Sequence, residues 1–139
     1  GNNYLLDYRA ARRSEDEQIR ITLPEVVQVA KAASQEFHAN VFNAFPEAVV
    51  EWRLNDDDWQ PMQKTVNETD PLFQALFDEE QPMLPDNLPW RKLHKPMVCP
   101  HLWKAGLTTA NEKGTHLIQV RATNSNGQVL KGERIFRVE

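Results

Sequence analysis

Hydrophobic and polar residues alternate from Gly114 to Thr123, break at Asn124-Ser125-Asn126-Gly127-Gln128, and alternate again from Val129 to Val138. A period of two sends successive side chains to opposite faces, so each run predicts a strand. The Ser125-Asn126-Gly127 break predicts the tight turn between them. In the first strand Ile118, Val120 and Ala122 face inward, while Gln119, Arg121 and Thr123 face water. Such a closing pair is the usual end of a two-sheet antiparallel domain.

Shorter runs upstream repeat the pattern. Ile19, Ile21 and Leu23 alternate with Arg20 and Thr22, predicting a half-buried strand that Pro24 ends. Glu25 to Ala33 fits a helical turn or a kinked strand. Val26, Val27 and Val29 favour extended backbone, so a strand is the expectation. Glu36 to Ala44 and Ala48 to Asn55 predict a hairpin around Phe45-Pro46-Glu47, with Val50, Trp52 and Leu54 on one face of the second arm. Asn55-Asp56-Asp57-Asp58 then turns the chain, and Trp59 to Val66 returns. Trp52 is the candidate for a ring held between two sheets. His101 to Leu107 predicts a further strand, followed by a loop over Thr108 to Lys113.

Residues 67–100 break the alternation and hold six of the nine prolines. Asp70 can cap a helix with Pro71 at its first position, which puts Leu72, Phe73, Leu76 and Phe77 on one stripe. A helix of about ten residues is too short to stand alone in water and must be held by packing. Gln81 to Pro100 then reads as an extended surface strap, because proline removes ladder donors. The fold class expected is an all-β, immunoglobulin-like antiparallel β-sandwich of about seven or eight strands with this one helical insertion. Its candidate core is Ile19, Ile21, Val50, Trp52, Leu54, Trp103, Ile118, Val120 and Ala122. Residues 1–139 are expected to form one domain, with 1–7 as a partly ordered linker.

Composition narrows the function classes. A net charge of −4 and a pI of about 5.6 leave no basic stripe for phosphates, which argues against nucleic acid as a partner. No run of 18 apolar residues exists, so no membrane insertion is expected. No signal peptide is visible, and Gly1-Asn2-Asn3 reads as the start of a fragment cut from a longer precursor. The one cysteine, Cys99, removes the disulfide-scaffold class. Asn67-Glu68-Thr69 fits the glycosylation sequon, a short pattern that often arises by chance.

Several segments, in order and at similar spacing, carry a family likeness. They are Tyr8-Arg9-Ala10-Ala11, Gln18-Ile19-Arg20-Ile21, Asn40-Val41-Phe42-Asn43, Val50-Glu51-Trp52-Arg53-Leu54, Trp59-Gln60-Pro61-Met62 and Asp70-Pro71. His101-Leu102-Trp103-Lys104, Gly114-Thr115-His116, Val120-Arg121-Ala122-Thr123 and Gly127 follow. Together they resemble the C-terminal domain of bacterial calcineurin-like metallophosphoesterases, particularly those of Bacteroidetes. The resemblance implies a sandwich placed after a two-metal phosphoesterase domain in an exported protein, periplasmic or at the cell surface of a Gram-negative bacterium. The family's metal-binding signatures (Asp-x-His, Gly-Asp-x-x-Asp, Gly-Asn-His-Asp/Glu) do not occur here, so no catalytic residue, metal ligand or cofactor carries over to this chain. Ser125-Asn126 departs from the Asp-plus-aromatic turn that such modules often have.

The remaining chemistry-bearing residues are weighed singly. His94, Cys99 and His101 are zinc-ligand types, yet they are one ligand short of a closed site, and accidental proximity is the simpler reading. Asp56, Asp57 and Asp58 are adjacent rather than alternating and lack the glycine of a calcium loop, which favours a solvated turn. Ser14, Ser34 and Ser125 sit in polar context without a nucleophile elbow. Of Trp52, Trp59, Trp90 and Trp103, Trp90 in the strap is the ring expected to show a face outward. The rest fit packing. Leu72, Phe73, Leu76, Phe77 and Trp90 are the candidate contacts with a catalytic domain, exposing a patch on the order of several hundred Å². The expected function is thus a non-catalytic accessory domain that packs on the catalytic domain. The alternative is a carbohydrate-binding or protein-interaction module.

Overall fold

The computed structural model describes residues 7–85, 87, 92–108 and 112–139. Among the described residues, nine strands, two α-helices and one 3-10 turn (Gln81–Met83) follow in chain order. β1 (Ile19–Thr22), β3 (Glu36–Val41), β7 (Leu102–Gly106) and β6 (Gln63–Lys64) form one sheet in the order β1-β3-β7-β6. β2 (Val26–Val27), β9 (Val129–Val138), β8 (Gly114–Thr123), β4 (Val49–Leu54) and β5 (Gln60–Pro61) form the other, in the order β2-β9-β8-β4-β5. All pairs are antiparallel except β2 with β9. The architecture is an all-β sandwich.

Its interior is built by the inward half of each alternation. Phe37, Ala39 and Val41 on β3 face Val50, Trp52 and Leu54 on β4, with Phe37 and Trp52 edge to face at 5.0 Å. Ile19, Ile21, Trp103, Ile118, Val120 and Ala122 are buried in the same cluster. Dispersion between such rings adds to the area they remove from water.

The expected β3–β4 hairpin is a correction. The two strands pair in different sheets, and residues 42–48 arch across the gap. A hairpin would set both apolar faces on one side of one sheet, whereas the arch turns them toward each other. The corner is tied by buried Asn124 in the β8–β9 turn. Its Oδ1 accepts from Phe45 N–H at 2.9 Å, and its Nδ2 donates to Asn43 C=O at 3.1 Å. That turn closes at Ser125–Asn126, with Gly127 at φ 85° supplying the left-handed bend.

Two further differences arise at sheet edges. Over 25–33 the chain makes only two strand residues and then a single turn, α1 (Val29–Ala32). The Val29 N–H donates to Glu139 C=O, so the edge of β9 decides the conformation over β-branched propensity. The Trp59–Val66 return is one strand that changes sheets: Gln60–Pro61 pairs with β4, and Gln63–Lys64 pairs with β7. Pro61, lacking an amide hydrogen, sits where pairing is given up, and the Met62 side chain is buried beside it.

At the opposite edge β1 lies directly on β9. A Cβ on Gly132 would fall 2.7 Å from Ile19 Cβ and 3.0 Å from the Ile19 carbonyl oxygen. Arg134 bridges the same seam, donating to the carbonyls of Ile21 and Leu23 at 3.4 and 2.8 Å.

Candidate functional site

Asp70 starts helix α2 (Pro71–Glu80), accepting from the amides of Leu72 and Phe73 at 2.8 and 3.3 Å, with Pro71 at the first position. The other carboxylate oxygen of Asp70 accepts from Asn40 Nδ2 on β3. Two residues earlier, Glu68 reaches Lys104 Nζ on β7 at 2.9 Å and His38 Nε2 on β3 at 3.2 Å. His38 and Lys104 are direct register partners, so one carboxylate ties both strands to the segment entering the helix. The hydrogen bonds from Lys104 and His38 hold the Glu68 carboxyl below its ordinary value, and Glu68 in turn raises the Lys104 ammonium.

The strap is fastened to this same segment. Cys99 N–H donates to Glu68 C=O at 2.8 Å, and Thr69 bridges Val98. The helix and strap thus form an outer layer on the four-stranded sheet, clamped by polar groups rather than by a buried stripe. No residue of α2 is buried: Leu72, Phe73 and Phe77 are half-buried, and Leu76 is 48% exposed. Val66, Met83, Leu93, Met97 and Val98, in the segments before and after the helix, are also exposed, Met97 to 81%. Trp90, the fifth candidate contact, lies outside the described residues.

The other candidate residues do not converge. Among the described residues no three His, Cys, Asp or Glu side chains gather as a metal site. His94 is exposed, and burial is the main cause that pushes the Cys99 thiol up, which makes it a poor thiolate. Ser14, Ser34 and Ser125 are exposed; Ser14 Oγ donates to Asp16 and Ser34 Oγ to Lys31 C=O. Trp52 and Trp103 are buried. Trp59 is half-buried on the outer face of the five-stranded sheet, with the guanidinium carbons of Arg121 and Arg53 at 4.2 and 4.9 Å from its ring. Both arginines are engaged there, with Glu51 and Gln119.

Sequence reasoning missed the Glu68–His38–Lys104 clamp. Its three members lie 30 and 36 residues apart, and only the sheet register brings them together.

A family model described as the C terminal of calcineurin-like phosphoesterase matches residues 1–130. That span takes in β1 to β8, the clamp, α2 and the strap. No curated protein and no solved structure matches the chain. Among the described residues no helix is long and apolar enough to cross a membrane.

Proposed function

The chain belongs to the family formed by the C terminal of calcineurin-like phosphoesterase, and on that premise we propose that it is the non-catalytic accessory domain of an exported, metal-dependent phosphoesterase. Its α2–strap face packs on the catalytic domain of the same polypeptide and helps frame the approach to that domain's two divalent metal ions. The observation that carries this reading is the unburied helix. Four apolar residues on a ten-residue helix face outward or sit half-covered, flanked by exposed Met83, Met97 and Val98. A surface of this kind is normally covered in the working assembly.

The reading of the chain as non-catalytic rests on the family match, which is to the C terminal of these phosphoesterases. The proposed compartment, periplasm or cell surface of a Gram-negative bacterium, follows from the family resemblance. A glycan platform of coplanar surface tryptophans finds no support, because two of the three described rings are buried.

Hydrolysis of p-nitrophenyl phosphate and its bis ester by this chain, with Mn²⁺ or Zn²⁺ added, tests the reading. Rates at the blank level are expected. Activity that persists through repurification would overturn it.

A further inference from the structure

We infer that residues 8–18 form a docked arm that brings the connection from the catalytic domain onto the outer face of the four-stranded sheet, the face that also carries α2 and the strap. This rests on the accessory-domain reading: the family is the C terminal of a phosphoesterase, so the catalytic domain precedes the arm. On β1 and β3 the residues between the core positions point outward. Arg20 pairs in register with Asn40, and Thr22 with His38. Asn40 and His38 are the residues that hold Asp70 and Glu68 at the start of α2. Phe42, one step beyond β3, continues that outward row, since the Arg20 guanidinium carbon lies 5.2 Å from its ring centroid.

The arm is seated on this row by separate contacts. Tyr8 packs its ring on Phe42, with centroids 4.5 Å apart and planes tilted by 31°. The Phe42 N–H donates to the Gln18 C=O at 3.1 Å, carrying the β1–β3 ladder one residue past its end. The Gln18 side-chain amide donates to the carbonyls of Tyr8 and Glu15 at 2.8 and 2.7 Å, tying both ends of the arm together. Between them the chain reverses, with Arg12 at φ 64° and the Arg13 N–H on the Ala10 C=O at 3.2 Å. Arg20 holds Glu17 at 2.6 Å. A flexible linker behaves as a solvated coil, whereas this segment folds back and is stapled to the sheet.

A docked arm restricts the side of the sandwich that a preceding domain can occupy. Tethering raises the effective concentration of that domain at the face where the arm lies and lowers it at the opposite face. The α2–strap layer on the favoured face offers exposed Leu76, Met83, Met97 and Val98 as the apolar contact. Arm and helix layer are then two attachments on one face, which set an orientation that either alone leaves free to turn. Tyr8 is a positioning residue in this scheme: it acts through Phe42 on where the catalytic domain sits.

Two measurements test the inference: hydrogen exchange of this chain, and lysine cross-linking of the polypeptide that also carries the catalytic domain. In this chain the amides of Arg13, Glu17, Gln18 and Phe42 should be protected. Tyr8→Ala, a change confined to the arm, should quicken their exchange about two- to tenfold, the worth of one aromatic pair. Tyr8→Phe keeps the ring and should match the native chain. In the larger protein, interdomain cross-links should run through exposed Lys92 and Lys95 of the strap rather than exposed Lys131 on β9. Tyr8→Ala should shift them toward Lys131. An arm that exchanges like a free tail, native cross-links mainly through Lys131, or a Tyr8→Ala protein unchanged in both readouts would overturn the inference and leave the accessory-domain reading standing. Phosphatase activity in this chain would instead remove that reading, and the inference with it, even with the arm protected.

Discussion

The two sides of this molecule use apolar residues differently. Between the sheets, Val50, Trp52 and Leu54 alternate at a period of two, and each is at most 5% exposed. On α2, Leu72, Phe73, Leu76 and Phe77 follow a helical period, yet none is buried. The first set is closed by an opposing sheet, the second by polar clamps at its base. A helix without its own closed core is held only as firmly as its cap and the Glu68 cluster allow. Regular spacing therefore identifies the face of an element, and only the fold decides what covers that face.

Breaking the interior should cost most. Trp52→Ala removes a ring packed on Phe37 and should lower stability by about 3–5 kcal/mol, read by urea unfolding. A loss no larger than that of a surface change would show that the inter-sheet packing is misjudged. Gly132→Ala should follow, at about 1–3 kcal/mol, because the new Cβ meets Ile19 backbone as well as side chain. Pairing it with Ile19→Ala should recover little, since the 3.0 Å contact to the Ile19 carbonyl oxygen remains.

The outer layer should respond locally. Asp70→Ala deletes the cap of α2 and the tie to Asn40, costing about 1–2 kcal/mol. Hydrogen exchange should quicken in residues 71–80 and stay slow in β8 and β9. Equal acceleration in both would contradict the separation drawn above.

The smallest effect concerns pH. Glu68 is depressed in the folded state, so its contribution is present above the ordinary carboxylate value of 4.5 and fades as pH falls through the lower, folded value. Lys104 is raised, so its share is complete below 10.5 and is lost as pH rises through the higher, folded value. Attachment of the helix should therefore loosen as pH falls through the Glu68 value and as it rises through the Lys104 value. Glu68→Gln should flatten the acid limb of α2 exchange, and an unchanged limb would remove the clamp from the account.

Much of the sandwich was legible because its signals are local. The alternation in β8 and β9, the Gly127 turn and the Asp70-Pro71 start each lie within a dozen residues. What could not be read depends on pairing at a distance. The β3–β4 arch rests on Asn124, which bonds Phe45 across 79 residues, and no local rule distinguishes that arch from a hairpin. The switch at Pro61 was equally hidden, because its two halves pair with different strands while reading as one run. The helix stripe of the candidate site was visible in its spacing. The clamp that seats it was not, since it is assembled by register.

Hydrogen exchange of residues 71–83 and 92–98, compared between this chain alone and the polypeptide that also carries the catalytic domain, is the most direct test. The account predicts slower exchange on that helix-bearing layer in the larger protein, with the outer face of the five-stranded sheet unchanged. Protection confined to that opposite face, or none at all, would contradict it.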